Sequence, residues 1–129
     1  MASFEAVQVN LWCDDVERCA TFFRSLGMPE KFRYPPDGEP HQIEVEAAGF
    51  RIGLSSARVG NDLFGIATTP GENTEVVLWC SDVDTLHQTA LAAGAEPLTS
   101  PTDSPDGHLR YTWLHTPEGH RVKLVQERR

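Results

Sequence analysis

The chain has 129 residues, of which 40% are hydrophobic and 23% charged, and its formal net charge is −8 at pH 7. This composition is typical of one globular domain, while the acidic charge and the absence of a Lys/Arg cluster exclude a role that depends on phosphate contacts, so nucleic acid is not an expected partner. No apolar run is long enough to span a bilayer and the start, MASFEAVQVN, lacks the pattern of a secretory leader, so we expect a cytoplasmic protein with no membrane partner.

The first predicted element is a strand that the sequence repeats. LWCDDV at 11–16 returns as LWCSDV at 78–83. Each copy ends a β-prone apolar run, over 7–13 and over 74–80, and is followed by turn residues. The sequence therefore predicts a duplicated fold with a strand at the start of each half.

A helix is predicted after each of these strands, roughly over 15–26 and 82–93, because apolar residues recur there at helical spacing. An N-cap with an acidic residue three positions later resembles a capping box, and a glycine at the end of each helix suits a left-handed cap. The predicted N-caps are Asp14 and Ser81, the acidic residues Glu17 and Asp84, and the glycines Gly27 and Gly94.

Three extended segments are predicted after each helix, so each half reads β-α-β-β-β. We predict one domain, 1–129, built of module 1 (4–56), a linker (57–74) and module 2 (75–127). The first set of segments is 31–35, 41–47 and 50–56, and the second is 97–99, 108–115 and 120–127.

Strand alternation assigns side chains to the face of each sheet that its single helix leaves uncovered. The turn at 116–119, with Pro second and Gly fourth, favours a type I turn with a G1 bulge, which places Trp113 opposite Lys123 on that face. Polar groups within an aromatic lining are typical of a small-molecule site, although tryptophans that only fill the space between the halves are the alternative. The candidate ligand-binding residues are Trp12, Trp79, Trp113, Tyr111, Gln8, Asn10, Arg51, Glu75, Arg121 and Lys123.

The duplicated pattern resembles the vicinal oxygen chelate superfamily, also called the glyoxalase/bleomycin-resistance/dioxygenase family. The resemblance rests on LWCDDVERCATFFRSLGM, VVLWCSDVDTLHQTALAAGAEPLTSP and TWLHTPEGHRVKLVQ. It implies an α+β fold in which two tandem βαβββ modules form an open, half-barrel-like mixed sheet around a cavity, and it implies a homodimer. It specifies function poorly, since the superfamily includes isomerases, dioxygenases, thiol transferases and drug-binding proteins.

Members that use a metal take its ligands from four positions, which the resemblance assigns to Gln8, Gly53, Glu75 and Lys123. Glycine has no ligating side chain and lysine brings a cation, so these residues do not suit a divalent metal, and we expect neither a metal nor another cofactor. Glu75 and Lys123 could instead form an ion pair. The sequence leaves open whether His41 or His115 completes a metal site.

The sequence favours a metal-independent protein that sequesters an aromatic antibiotic or natural product and catalyses no reaction. Glu75 and the net acidity would favour a cationic ligand. The alternatives are a metal-dependent lyase or isomerase of the glyoxalase type, a dioxygenase-related enzyme, and an interaction module with a filled interior. The sequence does not decide whether the cavity is built within one chain or across a dimer.

Overall fold

The computed structural model describes residues 8–71 and 74–128, so residues 4–7, the predicted start of module 1, lie outside the described residues. The chain divides into two compact units, unit 1 (residues 1–70) and unit 2 (residues 71–129). Each unit has its own sheet of parallel and antiparallel strands, and neither sheet closes into a barrel, which confirms the predicted α+β class. Within the described ranges, no helix has the length and apolarity that a membrane span requires.

Unit 1 contains a sheet in which β1 runs parallel to its neighbour β4 and the other pairs are antiparallel. The strand order is β1-β4-β3-β2, and α1 packs against β3 and β4. Side chains that alternate along these strands, such as Leu11, Ile43 and Leu54, are fully buried toward α1. The elements are β1 (Val9–Cys13), α1 (Val16–Ser25), β2 (Glu30–Tyr34), β3 (Gln42–Ala47), β4 (Phe50–Ser56) and α2 (Ala57–Phe64).

Unit 2 repeats this arrangement, with β5 parallel to β9 and the strand order β5-β9-β8-β6, while β7 also pairs with β8. The helix α3 packs against β8 and β9, and Val83, Leu114 and Leu124 are buried. The elements are β5 (Glu75–Trp79), α3 (Val83–Ala92), β6 (Glu96–Pro97), β7 (Thr102–Asp103), β8 (Leu109–His115) and β9 (Arg121–Glu127). The predicted strand over 97–99 overlaps β6 only at Pro97, and the second short strand, β7, was not predicted.

The predicted N-caps are also wrong by one residue in both repeats. Asp15, not Asp14, caps α1 by accepting a hydrogen bond from the Arg18 amide at 3.1 Å. Asp82, not Ser81, caps α3, since its carboxylate accepts from the Thr85 amide at 3.1 Å and the Thr85 hydroxyl at 2.8 Å. The shift moves Glu17 and Asp84 out of the capping-box position and leaves them to pair with arginines. The glycines after both helices adopt the predicted left-handed conformation, with φ of +100° at Gly27 and +101° at Gly94.

The segment predicted as a linker contains the helix α2. Ser56 ends β4 and caps α2 at once, because its hydroxyl accepts from the Val59 amide at 3.2 Å. Gly60 lies beside the Trp12 ring, where a Cβ atom would come within 3.0 Å of an indole carbon. A glycine at this position thus lets the helix approach the tryptophan.

The β8–β9 hairpin follows the predicted bulged turn. Thr116 donates its amide hydrogen to the His120 carbonyl at 2.9 Å, and Gly119 has a φ of +88°. The register pairs Trp113 with Lys123 and Tyr111 with Val125, as predicted. This register places Tyr111, Trp113 and Lys123 on the face opposite α3.

Candidate functional site

Unit 1 carries a hydrogen-bonded polar network on the face that α1 leaves uncovered. Glu44 lies at its centre and accepts hydrogen bonds from Gln8 at 3.1 Å, Gln42 at 3.3 Å and Arg51 at 3.0 Å. Burial favours a raised pKa for the Glu44 carboxyl, but the bonds from Gln8, Arg51 and Gln42 together hold that pKa below its usual value. The carboxylate is therefore charged at neutral pH and already occupied by donors.

Asn10 and Gln42 fill the space beside Gly53. A Cβ atom at Gly53 would overlap Asn10 Oδ1 and would lie 2.7 Å from Gln42 Nε2. Asn10 Oδ1 also accepts from Gln8 at 2.9 Å, and Gln42 accepts from the Ser55 hydroxyl. The missing side chain at Gly53 is thus part of the network, since any larger residue would displace it.

Two exposed aromatic residues on the same face were not predicted. The register pairs Phe32 with Glu44 and Tyr34 with Gln42, so both rings lie on the side of the polar network. Phe32 is 44% exposed and Tyr34 is 57% exposed. The alternation of QIEVEA in β3, with Ile43 and Val45 buried, would have assigned Gln42 and Glu44 to this face too.

In unit 2, a lysine covers the two aromatic rings of β8. The Lys123 ammonium lies 5.1 Å from the ring centroid of Tyr111 and 5.0 Å from that of Trp113, a cation–π arrangement. The Trp113 indole N–H donates to Glu75 Oε1 at 3.1 Å. The predicted Glu75–Lys123 ion pair is wrong, because β5–β9 register pairs Glu75 with Arg121 and the lysine faces the rings.

Trp79 is the most exposed tryptophan of the candidate set. Its side chain is 63% exposed, and Val77 on the same face is 44% exposed. Val125, which is opposite Trp79 in the register, is fully buried. Trp12 and Trp113 are half-buried. Each unit therefore presents aromatic surface opposite its helix, and the prediction that Trp12 and Trp79 line one shared cavity stays a prediction.

A polar cavity of about 280 Å³ opens at the start of β5 and β9. Glu75 and Arg121 are neighbours across β5 and β9, and Arg121 and His115 are neighbours across β9 and β8. His115 Nδ1 lies 3.3 Å from the Glu96 carboxylate at the rim. Lining the cavity are Gly71, Thr74, Glu75, His115, Gly119 and Arg121.

The residues at the superfamily's metal positions do not fit a divalent cation. In unit 1, the Gln8 amide nitrogen donates to Asn10 and Glu44, and Gly53 offers no ligand. In unit 2, Lys123 directs its ammonium at the aromatic rings. Glu75 and His115 share the cavity, yet the Arg121 guanidinium shares it too and would repel a cation. His41 belongs to unit 1 and packs edge-on against Tyr34, with ring centroids 5.9 Å apart.

The comparison with protein families identifies the fold. Residues 6–125 match the family described as Glyoxalase-like domain. The chain belongs to this family. The match covers both units and confirms the resemblance to the vicinal oxygen chelate superfamily. No curated protein matches this glyoxalase-like chain significantly.

Solved structures share the fold of the glyoxalase-like chain over nearly its whole length. A glyoxalase/bleomycin resistance protein/dioxygenase family enzyme from Burkholderia phytofirmans PsJN has a TM-score of 0.80 at 20% identity and covers 94% of this chain and 97% of its own. A member of the glyoxalase/bleomycin resistance protein/dioxygenase superfamily from Sphaerobacter thermophilus DSM 20745 has a TM-score of 0.76 at 24% identity and covers 96% of this chain and 98% of its own. TioX from Micromonospora sp. ML1 has a TM-score of 0.77 at 23% identity and covers 97% of this chain and 100% of its own. At these identities the likeness shows the fold alone.

Proposed function

We propose that this glyoxalase-like protein is a metal-independent binding protein that sequesters a planar aromatic antibiotic or natural product in the cytoplasm. The observation that carries the proposal is the exposure of aromatic side chains on the faces opposite the helices, above all the 63% exposure of Trp79. Exposed aromatic surface of this kind supports the proposal, because water solvates it poorly and a flat ligand would cover it.

The polar groups around these rings support binding rather than metal chemistry. Glu44 is saturated by three side-chain donors, and Glu75 already accepts from Trp113. The bond to Glu75 holds the Trp113 side chain in place before a ligand arrives, which lowers the entropy cost of binding.

The proposal is tested by titrating planar aromatic antibiotics into the protein in EDTA and following tryptophan fluorescence and heat. We expect micromolar or tighter binding for at least one compound. Trp79→Ala should weaken it by about 0.5–1.5 kcal/mol, the usual contribution of an aromatic stacking pair. Phe50→Ala is the matched control, because Phe50 is 45% exposed and alternation along β4 places it on the face toward α1, away from the candidate binding residues. Binding that disappears on chelation, or a panel without any binder, would refute the proposal.

A metal-dependent lyase or isomerase is the second candidate, and one observation favours it: Glu75 and His115 line the same cavity. Elemental analysis of protein purified without a histidine tag distinguishes the two functions. A stoichiometric transition metal would support the enzyme and contradict the binding protein.

A further inference from the structure

We infer that the ligand carries an anionic group, such as a carboxylate, that binds Arg121 in the cavity of unit 2. The inference rests on the proposed binding function and names the chemical class of the ligand. It reverses the expectation that Glu75 and the net charge of −8 select a cation.

The cavity has room for one polar end of a ligand. Its volume of about 280 Å³ is just below the range of roughly 300–1,000 Å³ that holds whole drug-sized molecules. Its wall continues into aromatic surface, because Glu75 in that wall bonds the Trp113 indole N–H at 3.1 Å. A polar group can therefore enter the cavity while the attached ring lies toward the aromatic side chains.

Arg121 is the cation that can receive this group. It lines the cavity, its side chain is exposed, and among residues 8–71 and 74–128 no carboxylate pairs with it. Arg110 and Arg128, the other arginines that the structure describes in unit 2, differ in this respect, since both bind Asp103. A guanidinium with unused N–H donors suits a carboxylate, which it can bind through two parallel hydrogen bonds.

The surroundings of Arg121 favour an anion over a cation. Lys123 lies two residues further along the same face and adds a second positive charge, beside the carboxylates of Glu75 and, at His115, of Glu96. The rings of Tyr111 and Trp113, which a ligand cation would otherwise use, already carry the Lys123 ammonium. This face thus offers an anion the Arg121 guanidinium, whereas a cation meets rings of Tyr111 and Trp113 that Lys123 already covers.

The test uses benzoate and its neutral analogue benzamide, which differ in charge but little in shape, in NMR titrations of isotopically labelled protein at neutral pH. Benzoate should shift the Arg121 side-chain Nε–H signal and the Gly119 amide, and should bind about tenfold or more tightly than benzamide, as expected for a charge-assisted hydrogen bond. Arg121→Gln should remove this preference and Arg121→Lys should keep part of it.

Arg58→Gln is the matched control, because it changes the net charge by the same amount at an exposed residue of α2, which pairs with Glu39. It should leave the preference for benzoate intact. Equal binding of both compounds, no binding of benzoate, or equal shifts at the Arg58 and Arg121 side chains would overturn the inference. The proposed function is tested separately, and it fails when no planar aromatic antibiotic binds in EDTA. If benzoate binds at Arg121 but no such antibiotic binds, the anion site is retained and sequestration is rejected.

Discussion

Single residues show what surrounds Gly53, the position in unit 1 that the resemblance assigns to a metal ligand. Gly53 leaves a space that Asn10 and Gln42 occupy. Gln42 donates a hydrogen bond directly to Glu44, whereas Asn10 is linked to Glu44 through Gln8, which donates to both. A glycine in a strand normally weakens the strand, so its presence beneath a polar network has a structural reason. The position thus supports a network of side chains rather than a metal ligand.

We predict that Gly53→Ala lowers the free energy of unfolding by about 1 kcal/mol, because the new methyl group displaces Asn10 and breaks its hydrogen bonds. Urea denaturation measures the change. The control is the same substitution in an Asn10→Ala background, where the closest clash is gone and the cost should shrink. An equal cost in both backgrounds would contradict the described packing.

Sequence alternation predicted much of the candidate site but not its internal bonding. The register of Trp113 with Lys123 followed from the turn residues, because Pro and Gly fix the bulge. The contact of Lys123 with two rings did not follow, since rotamers decide whether an ammonium meets a carboxylate or an aromatic face. Gln42 and Glu44 were missed because β3 was not assigned to a face.

At the scale of elements, α1 is tied to β2 by a network of ion pairs. Glu17 on the helix binds Arg24 at 2.8 Å and Arg33 at 2.8 Å, and both arginines also bind Glu30. The hydrogen bonds from Arg33 and then Arg24 lower the pKa of the Glu17 carboxyl from 4.5 to about 2. Ionised Glu17 therefore strengthens the link between the helix and the edge strand of its sheet, which the Arg24–Glu30 pair also makes.

We predict that Glu17→Gln destabilises the protein by about 1 kcal/mol or less at pH 7, since the pairs are partly exposed and screened. A carboxyl whose pKa is lowered in the folded state stabilises above its unfolded pKa, here 4.5, and loses that effect as the pH falls toward about 2. The difference between variant and wild type should thus close over this pH window in thermal unfolding. Glu39→Gln, at a pair that is 75% exposed on the glutamate side, should change little at any pH.

The strands and helices were predicted well where the same sequence pattern occurs in both halves of the repeat. The helix ends at Gly27 and Gly94 agree with the sequence, but the N-caps do not, although Asp15 and Asp82 are identical in the repeats while residues 14 and 81 differ. Helix α2 was missed because it is only eight residues long, contains Gly60 beside Trp12, and follows β4 directly, with the last residue of β4 as its N-cap.

For the whole molecule, the superfamily resemblance and the frequency of two-fold pairs support a homodimer, which we propose for this chain. Exposed apolar residues near the end of α2 agree with this, since Leu63 is 66% and Phe64 70% exposed. Light scattering behind a sizing column should give a mass twice the 14.3 kDa of one chain. A mass of one chain across the accessible concentrations would contradict the dimer.

The ammonium of Lys123 occupies the position over the Tyr111 and Trp113 rings that a cationic ligand would otherwise take. Because it is tethered beside the rings of Tyr111 and Trp113, its local concentration there is fixed by the chain and does not fall on dilution. A cationic drug must compete with it for those rings, whereas an uncharged or anionic one can meet the lysine as a partner. Under the proposed function, the lysine would therefore disfavour cationic ligands at these two rings.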